Sequence, residues 1–455
     1  MREMPEGRLD IQYDTVVVGA GYSGVSAALR LAKKGFRVLI LEEEENIGGL
    51  AGSFEFEDGV TLEKFYHHWF GSDEYVFELL QQLGLIHMVR WAKSRTGSFL
   101  NKRIWKLSTP RDLLQFTELS LTERVRLGLV VIYVRLIRDF RKIEDKSIKD
   151  WLVPLVGNRV FEVVWEPLVR AKFGRYSEDI SAAWMWKKLV LRGGSRKANG
   201  SENLAYFEGG FSSLNGLLLN ALRENGVDVL LDQRVESFLT DGFGVKGVRT
   251  VESEFAAKSV ILAIPQPLAA RMLNSSDPKN TVTRVVPEIP HLANICLVMR
   301  LSHSLSDTYW LNVSDPGFPF VGIVQHSNLD TSDAYGGSHI VYLSRYLEAS
   351  DSAWGLDDDS YYEYCLPFIK QMFPMFSTSW VVGWRIWRAR FAQPVTLRGY
   401  SRLVPGFTTQ HDNVFQCSMA QIFPEDRGTN YAVRGGAKVA SVVEAYLLAE
   451  HEERA

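Results

Sequence analysis

Three glycines within six positions, followed about twenty residues later by an acid, form the stretch of this chain best suited to chemistry. They lie in the run Gly19-Ala20-Gly21-Tyr22-Ser23-Gly24, and the acid is Glu42, with Glu43 beside it. In a G-x-G-x-x-G turn the first glycine permits the tight bend. The second lets the backbone approach a pyrophosphate, and the third lets the following helix pack on the strand. The N-terminus of that helix offers unpaired N–H groups and a partial positive charge to phosphates. A carboxylate at the end of the next strand accepts two hydrogen bonds from a ribose diol. Its charge disfavours a 2′-phosphate, which argues against NADP.

Two further groups have the right residue types. His67 and His68 sit in the aromatic run from Phe65 to Phe70. A histidine there can transfer a proton or contact a cofactor, although hydrogen-bonded packing is the commoner role. His68 is the candidate catalytic residue. Residues 380–390 carry three tryptophans and three arginines. As a strand, this stretch places Trp384, Ile386, Arg388 and Arg390 on one face, with Arg385 and Trp387 on the other. Arg388 in an aromatic-lined cleft would orient a carboxylate or phosphate of a substrate. The competing reading is a solvated sheet face with stacked arginine–tryptophan pairs.

The elements that must position the glycine turn are legible around it. Residues 15–18 are apolar and β-branched, as in a parallel strand buried on both faces. Val25, Ala28, Leu29 and Ala32 repeat at helical spacing, Gly35 ends the helix, and residues 37–41 form a second apolar strand. The order strand, glycine turn, helix, strand, acid predicts a dinucleotide-binding βαβ unit.

A second glycine turn, Ile47-Gly48-Gly49-Leu50-Ala51-Gly52-Ser53, follows the acid. With it the sequence resembles the flavin amine oxidase superfamily, which includes protoporphyrinogen oxidase, phytoene desaturase and, more distantly, UDP-galactopyranose mutase. The resemblance implies FAD, a Rossmann-type α/β domain of the glutathione-reductase kind, and an inserted α+β substrate domain. It places Gly49, Leu50 and Ala51 against the cofactor, with Leu50 where arginine is usual. His68-Trp69-Phe70 matches an H-x-F element of the sugar mutases, but Gly71 stands where they continue with a second histidine. The chain appears again in the family's pattern at residues 209–265. There Val235 matches a valine that meets the adenine, and the strand ending Ala263-Ile264-Pro265 closes the FAD domain. The C-terminal part matches as well, with a strand over 413–416, a polar turn that includes Arg427, and a last helix opened by Gly435-Gly436. Glu425-Asp426-Arg427-Gly428 replaces the usual Gly-Asp of that turn. These correspondences imply an FAD domain built from residues 10–70, 204–280 and 404–450, and a substrate domain from 71–203 and 281–403.

Between these parts the pattern is mainly helical from 72 to about 203. Asp73 is placed to cap a helix that Gly84 stops. Residues 98–100 and 104–107 suit a hairpin. The apolar run 127–134, flanked by arginines, falls short of the roughly 20 residues a spanning helix needs. It suits either peripheral contact with a membrane surface or, the preferred reading, a helix buried against the substrate domain. Trp184 and Trp186 suit a cavity wall or, more commonly, a core. The polar stretch 193–203 reads as a loop able to cover the site.

The remaining bounds come from composition. A chain of 455 residues with 46% hydrophobic and 23% charged residues supports two or three domains with sizeable cores. A net charge of −3 argues against general nucleic-acid binding. Cys296, Cys365 and Cys417 are too far apart for metal spacing and suggest no disulfide framework, which fits a reducing cytoplasm. The first twelve residues contain no apolar stretch of a secretory signal.

The resulting expectation is an FAD-dependent oxidoreductase that moves a hydride from a C–H bond of a small apolar or ring-containing substrate to flavin N5. Two alternatives stand beside it. One is a redox-neutral enzyme on a nucleotide sugar, and the other a flavoprotein without catalysis.

Overall fold

The computed structural model describes residues 12–106, 109–195, 202–241, 244–275 and 286–454. Its first sheet is built around the strand Tyr13–Val18, which is buried at all but one position. Val38–Leu41 pairs with it in parallel on one side and Glu254–Leu262 on the other. Asp228–Leu230 and Val414–Gln416 extend the parallel sheet outward on the two sides. The first half of Glu254–Leu262 pairs antiparallel with Val245–Thr250, which pairs antiparallel with Val235–Thr240. A parallel sheet continued by an antiparallel three-stranded meander is the glutathione-reductase-like arrangement. The central strands are apolar at nearly every position because helices cover both of their faces.

Helix Tyr22–Ala32 packs under the long C-terminal helix Thr429–Arg454. Ser26 Oγ donates to the Val433 carbonyl at 2.9 Å across the crossing. Gly435 and Gly436 do not open this helix, as the sequence suggested, but lie nearly two turns inside it. The reason is close approach: a Cβ on Gly436 would lie 2.2 Å from the Ser23 carbonyl oxygen. Asp73 also differs from expectation. Its carboxylate accepts from the Phe70 N–H at 2.9 Å instead of capping helix Glu74–Gln82.

The second sheet has seven strands in the order Val381–Pro394, His291–Leu301, His339–Leu347, Gly322–Gln325, Trp310–Val313, Thr96–Leu100 and Arg103–Lys106. Two widely separated stretches of chain therefore build one sheet, joined where Trp310–Val313 runs parallel to Thr96–Leu100. One face carries Ile295, Leu297, Val341, Leu343 and Ile386 against helix Asp358–Met372. The other carries Cys296, Val298, Ile340 and Tyr342, which join the core of the nucleotide-binding unit.

A helical layer, including Leu121–Tyr133, Ile148–Val156, Glu166–Phe173 and Ala182–Ser195, surrounds its own core. Trp184 and Trp186 belong to that core. Only part of the 127–134 run is buried. Val130 and Val134 face inward and pack the helix on this core, while Leu129, Val131 and Ile132 are exposed. Among the described residues no helix is long and apolar enough to cross a membrane. The loop expected at 193–203 lies mostly outside the described residues.

Candidate functional site

The glycine turn closes at the C-terminal end of Tyr13–Val18. Gly19 has φ +101°, and a Cβ there would lie 2.7 Å from the Ala263 carbonyl oxygen. A Cβ on Gly24 would lie 2.0 Å from the Gly19 carbonyl oxygen, so both positions exclude a side chain. The helix behind them has no side-chain cap and no acidic residue in its first turn. Its N–H dipoles thus face no protein anion of the cap, which suits a phosphate. Ala20 N–H donates to Glu42 Oε2 at 2.6 Å, and Glu44 N–H donates to Oε1 at 3.0 Å. Burial raises the Glu42 carboxyl above its ordinary pKa, outweighing these two bonds.

The second glycine turn docks directly on the first. Gly48 N–H donates to the Ala20 carbonyl at 2.9 Å, and a Cβ on Gly49 would come within 3.3 Å of Gly21 Cα. Asn215, from helix Gly210–Glu224, locks both turns. Its Nδ2 donates to the Ala51 carbonyl at 2.9 Å, and its Oδ1 accepts from Tyr22 OH at 3.1 Å. The Tyr22 side chain is therefore a buried brace, leaving its backbone as the part that faces the turn. Leu50 remains half-buried, and Glu43 is exposed, 3.8 Å from Arg234. Gln233 N–H donates to the Glu42 carbonyl at 2.8 Å, which brings the neighbouring Val235 alongside that strand end.

Sequence reasoning missed one neighbour of this turn. Cys417 leaves Val414–Gln416 with its N–H on the Leu262 carbonyl at 2.9 Å, and its thiol lies within 2.9 Å of where a Gly435 Cβ would be. Cys417 and Ser418 thus stand at the strand end next to the glycine turn. The segment Glu425–Gly428 lies further along the chain, beyond the short turn Met419–Gln421. The position directly after a short apolar strand was the available signal.

The space between the two sheets is bordered by residues 64–70, 342–346 and 425–430. His68 Nδ1 and Tyr309 OH share a hydrogen bond of 2.9 Å, and the ring packs edge-on against Phe70 and Trp310. His67 Nδ1 lies 2.7 Å from the Phe65 carbonyl, and burial pushes its pKa down to about 4, so it is neutral at pH 7. Arg427 Nη2 donates to Tyr346 OH at 2.7 Å, while its buried Nε has no protein partner. Trp387 Nε1 is likewise buried without one. Asp426 accepts from Lys188 at 2.9 Å, Lys172 at 3.2 Å and Trp184 Nε1 at 3.2 Å. Burial alone would raise this carboxyl. The two ammonium groups and Arg427 outweigh that and hold it well below the usual carboxylate range.

Arg388 is not in this space. It shares a face with Trp384 and Ile386, as the alternation requires, but that face meets helix Asp358–Met372. There Arg388 pairs with Asp358 and donates to the Leu356 carbonyl at 2.7 Å. Trp387, on the opposite face, points to the nucleotide-binding side and packs 5.0 Å from Phe54. A cavity of about 640 Å³, lined in part by Lys172, Phe318, Phe320, Arg345 and Tyr346, adjoins this region. Its size suits a small organic ligand. Tyr346 connects it to Arg427.

Paired glycine turns that exclude side chains and an uncapped helix N-terminus fit a bound dinucleotide, and with this topology they define the class: dinucleotide-binding proteins with the fold of FAD-containing enzymes. The model of the family described as flavin containing amine oxidoreductase matches residues 22–443, and the chain belongs to that family. A zeta-carotene desaturase of Arabidopsis thaliana is 26% identical over 178 residues, covering 34% of this chain and 32% of the desaturase. The chain thus matches about a third of that relative's length. An oxidoreductase from Methanosarcina mazei superposes with a TM-score of 0.71 at 18% identity, covering 94% of this chain and 99% of that one. A reduced UDP-galactopyranose mutase does so with a TM-score of 0.70 at 13% identity, covering 95% and 96%. Those two likenesses concern the fold.

Proposed function

We propose that the chain oxidises a small organic substrate at a C–H bond, the substrate lying between the glycine turns and the second sheet and carrying a ring or extended apolar body. The observation that carries this reading is the wall of that space. Tyr66, Trp310, Tyr346 and Trp387 keep partial exposure, although their neighbours Trp69, Tyr342 and Cys296 are sealed. Aromatic faces left uncovered at the meeting of two sheets bind apolar surface.

Bound FAD supplies the acceptor for a hydride. Gly19 to Gly24, Glu42, Gly49 to Ala51 and Val235 hold it through backbone contacts and the Glu42 carboxylate. The aromatic wall orients the substrate and keeps water out. Arg427 offers guanidinium donors to an electronegative group on the substrate or cofactor, and Tyr346 holds that guanidinium in place. Loss of hydride and proton together completes a two-electron oxidation. His67 and His68 are the imidazoles beside this space that could take the proton, His68 being held by Tyr309. The nucleotide-binding domain comprises residues 10–70, 204–280 and 404–450, and the substrate domain the two stretches between them.

The test is anaerobic mixing of the yellow holoprotein with polyene isoprenoids, porphyrinogens, amines and nucleotide sugars, following the visible flavin absorbance. Bleaching by an isoprenoid, porphyrinogen or amine with stoichiometric loss of substrate hydrogen supports the proposal. No bleaching, together with isomerisation of a nucleotide sugar only by pre-reduced protein without net use of reductant, would replace it with the redox-neutral alternative.

A further inference from the structure

Helix Leu121–Tyr133 begins in a capping box, in which Ser120 Oγ accepts from the Glu123 N–H and the Glu123 carboxylate accepts from the Ser120 N–H. Such a cap sets the helix register without help from packing. The register puts Val130 and Val134 inward, 4% and 0% exposed. The opposite face carries Leu121, Val125, Leu129, Ile132 and Leu136, at spacings of four, four, three and four. These are 63%, 53%, 58%, 61% and 72% exposed. Leu114, in the short helix just before, is 58% exposed. Among the described residues, eight of the seventeen exposed large hydrophobic residues fall within residues 114–136, so the apolar surface is concentrated there, not scattered. A contiguous exposed apolar stripe marks an interaction surface.

The charge around the stripe narrows the partner. Between residues 121 and 142 stand Arg124, Arg126, Arg135, Arg138, Arg141 and Lys142 against two acids, Glu123 and Asp139, in a chain whose net charge is −3. Four of the six cations, Arg135, Arg138, Arg141 and Lys142, gather at the C-terminal end of the stripe. The stripe covers one side of the helix only, and sixteen residues make about 24 Å, so it suits lying in a surface plane.

We propose that this face seats the protein on a bilayer surface containing anionic phospholipid, with the apolar stripe at the acyl boundary and the flanking arginines at phosphate level. The attraction of each arginine to such a surface amounts to roughly fivefold in partitioning. It weakens as salt screens it.

The test uses full-length holoprotein in vesicle co-sedimentation, comparing phosphatidylcholine with a phosphatidylcholine–phosphatidylglycerol mixture. Binding to the mixture should exceed binding to phosphatidylcholine by more than about tenfold and fall as salt rises. Leu129→Asp with Ile132→Asp should lower it by more than about tenfold, with flavin absorbance and melting unchanged. Leu121→Ser with Val125→Ser provides the same comparison should the first pair fold poorly. Arg135→Gln with Arg138→Gln should weaken binding to the mixture alone. Three results would each overturn the proposal: equal binding to both vesicle types, undiminished binding by a folded stripe variant, or a wild-type dimer in sedimentation velocity that a stripe variant dissociates.

Discussion

Replacing Glu42 by glutamine changes one oxygen to an NH2 group and removes a charge, with almost no change in volume. The carboxylate accepts two backbone N–H bonds, from Ala20 at 2.6 Å and Glu44 at 3.0 Å, and is 7% exposed. The amide keeps one acceptor oxygen, so one of those N–H groups meets a donor. An unsatisfied buried N–H costs about 1–3 kcal/mol. Loss of the charge also weakens bonds from ribose hydroxyls by about 1–2 kcal/mol. The N–H mismatch lowers the stability of apoprotein and holoprotein alike, so the FAD affinity should fall by the second contribution, about 1–2 kcal/mol or roughly tenfold in Kd. The pH dependence supplies a second readout. Because burial raises the folded carboxyl, the folded apoprotein takes up this proton before the unfolded chain does. The group's contribution to apoprotein stability therefore grows as pH falls through that range and diminishes as pH rises. FAD binding needs the ionised form and should weaken over the same interval. Glu42→Gln should show neither dependence. Titration of deflavinated protein with FAD, followed by flavin fluorescence from acid to neutral pH, measures both effects. A Kd change under about threefold, or an unaltered pH profile, would refute the role given to the carboxylate.

Asp426→Asn should destabilise the protein by about 1–2 kcal/mol in denaturant unfolding, because Lys172 and Lys188 lose their shared, half-buried anion. The wild-type advantage is present above the ordinary carboxylate pKa and is lost as pH falls through the depressed folded value, so the two proteins should converge in acid. A stability difference that is absent at neutral pH would contradict this. Arg388→Ala should leave FAD content and turnover unchanged and cost no more than about 1 kcal/mol, since the Arg388–Asp358 pair lies on the far face and is partly exposed. A clear rise in KM without loss of flavin would put Arg388 back in the site.

Much of the nucleotide-binding half could be read from the sequence because its determinants are local. A positive φ at Gly19 and clashes at Gly24 arise within a few residues of chain, and strands buried on both faces are apolar at nearly every position. Glu42 follows from the same short βαβ unit. The second glycine turn was legible for a similar reason: Gly48 and Gly49 both have positive φ.

Tertiary structure alone decided the rest. Alternation along residues 381–394 determines which side chains share a face, but which face meets the nucleotide-binding unit depends on the packing of helix Asp358–Met372. Arg388 was misplaced for that reason. The run 127–134 is apolar all round, and only the docking of its Val130 side shows which residues remain outside. Gly435-Gly436 resembles a helix start until the helix crossing at Ser23 supplies a different reason for glycine. The bond from Lys172 to Asp426 joins residues 254 positions apart, and that from Arg427 to Tyr346 spans 81. Contacts at such separations leave no periodicity in the chain, because each depends on two elements being brought together by the packing of the whole core.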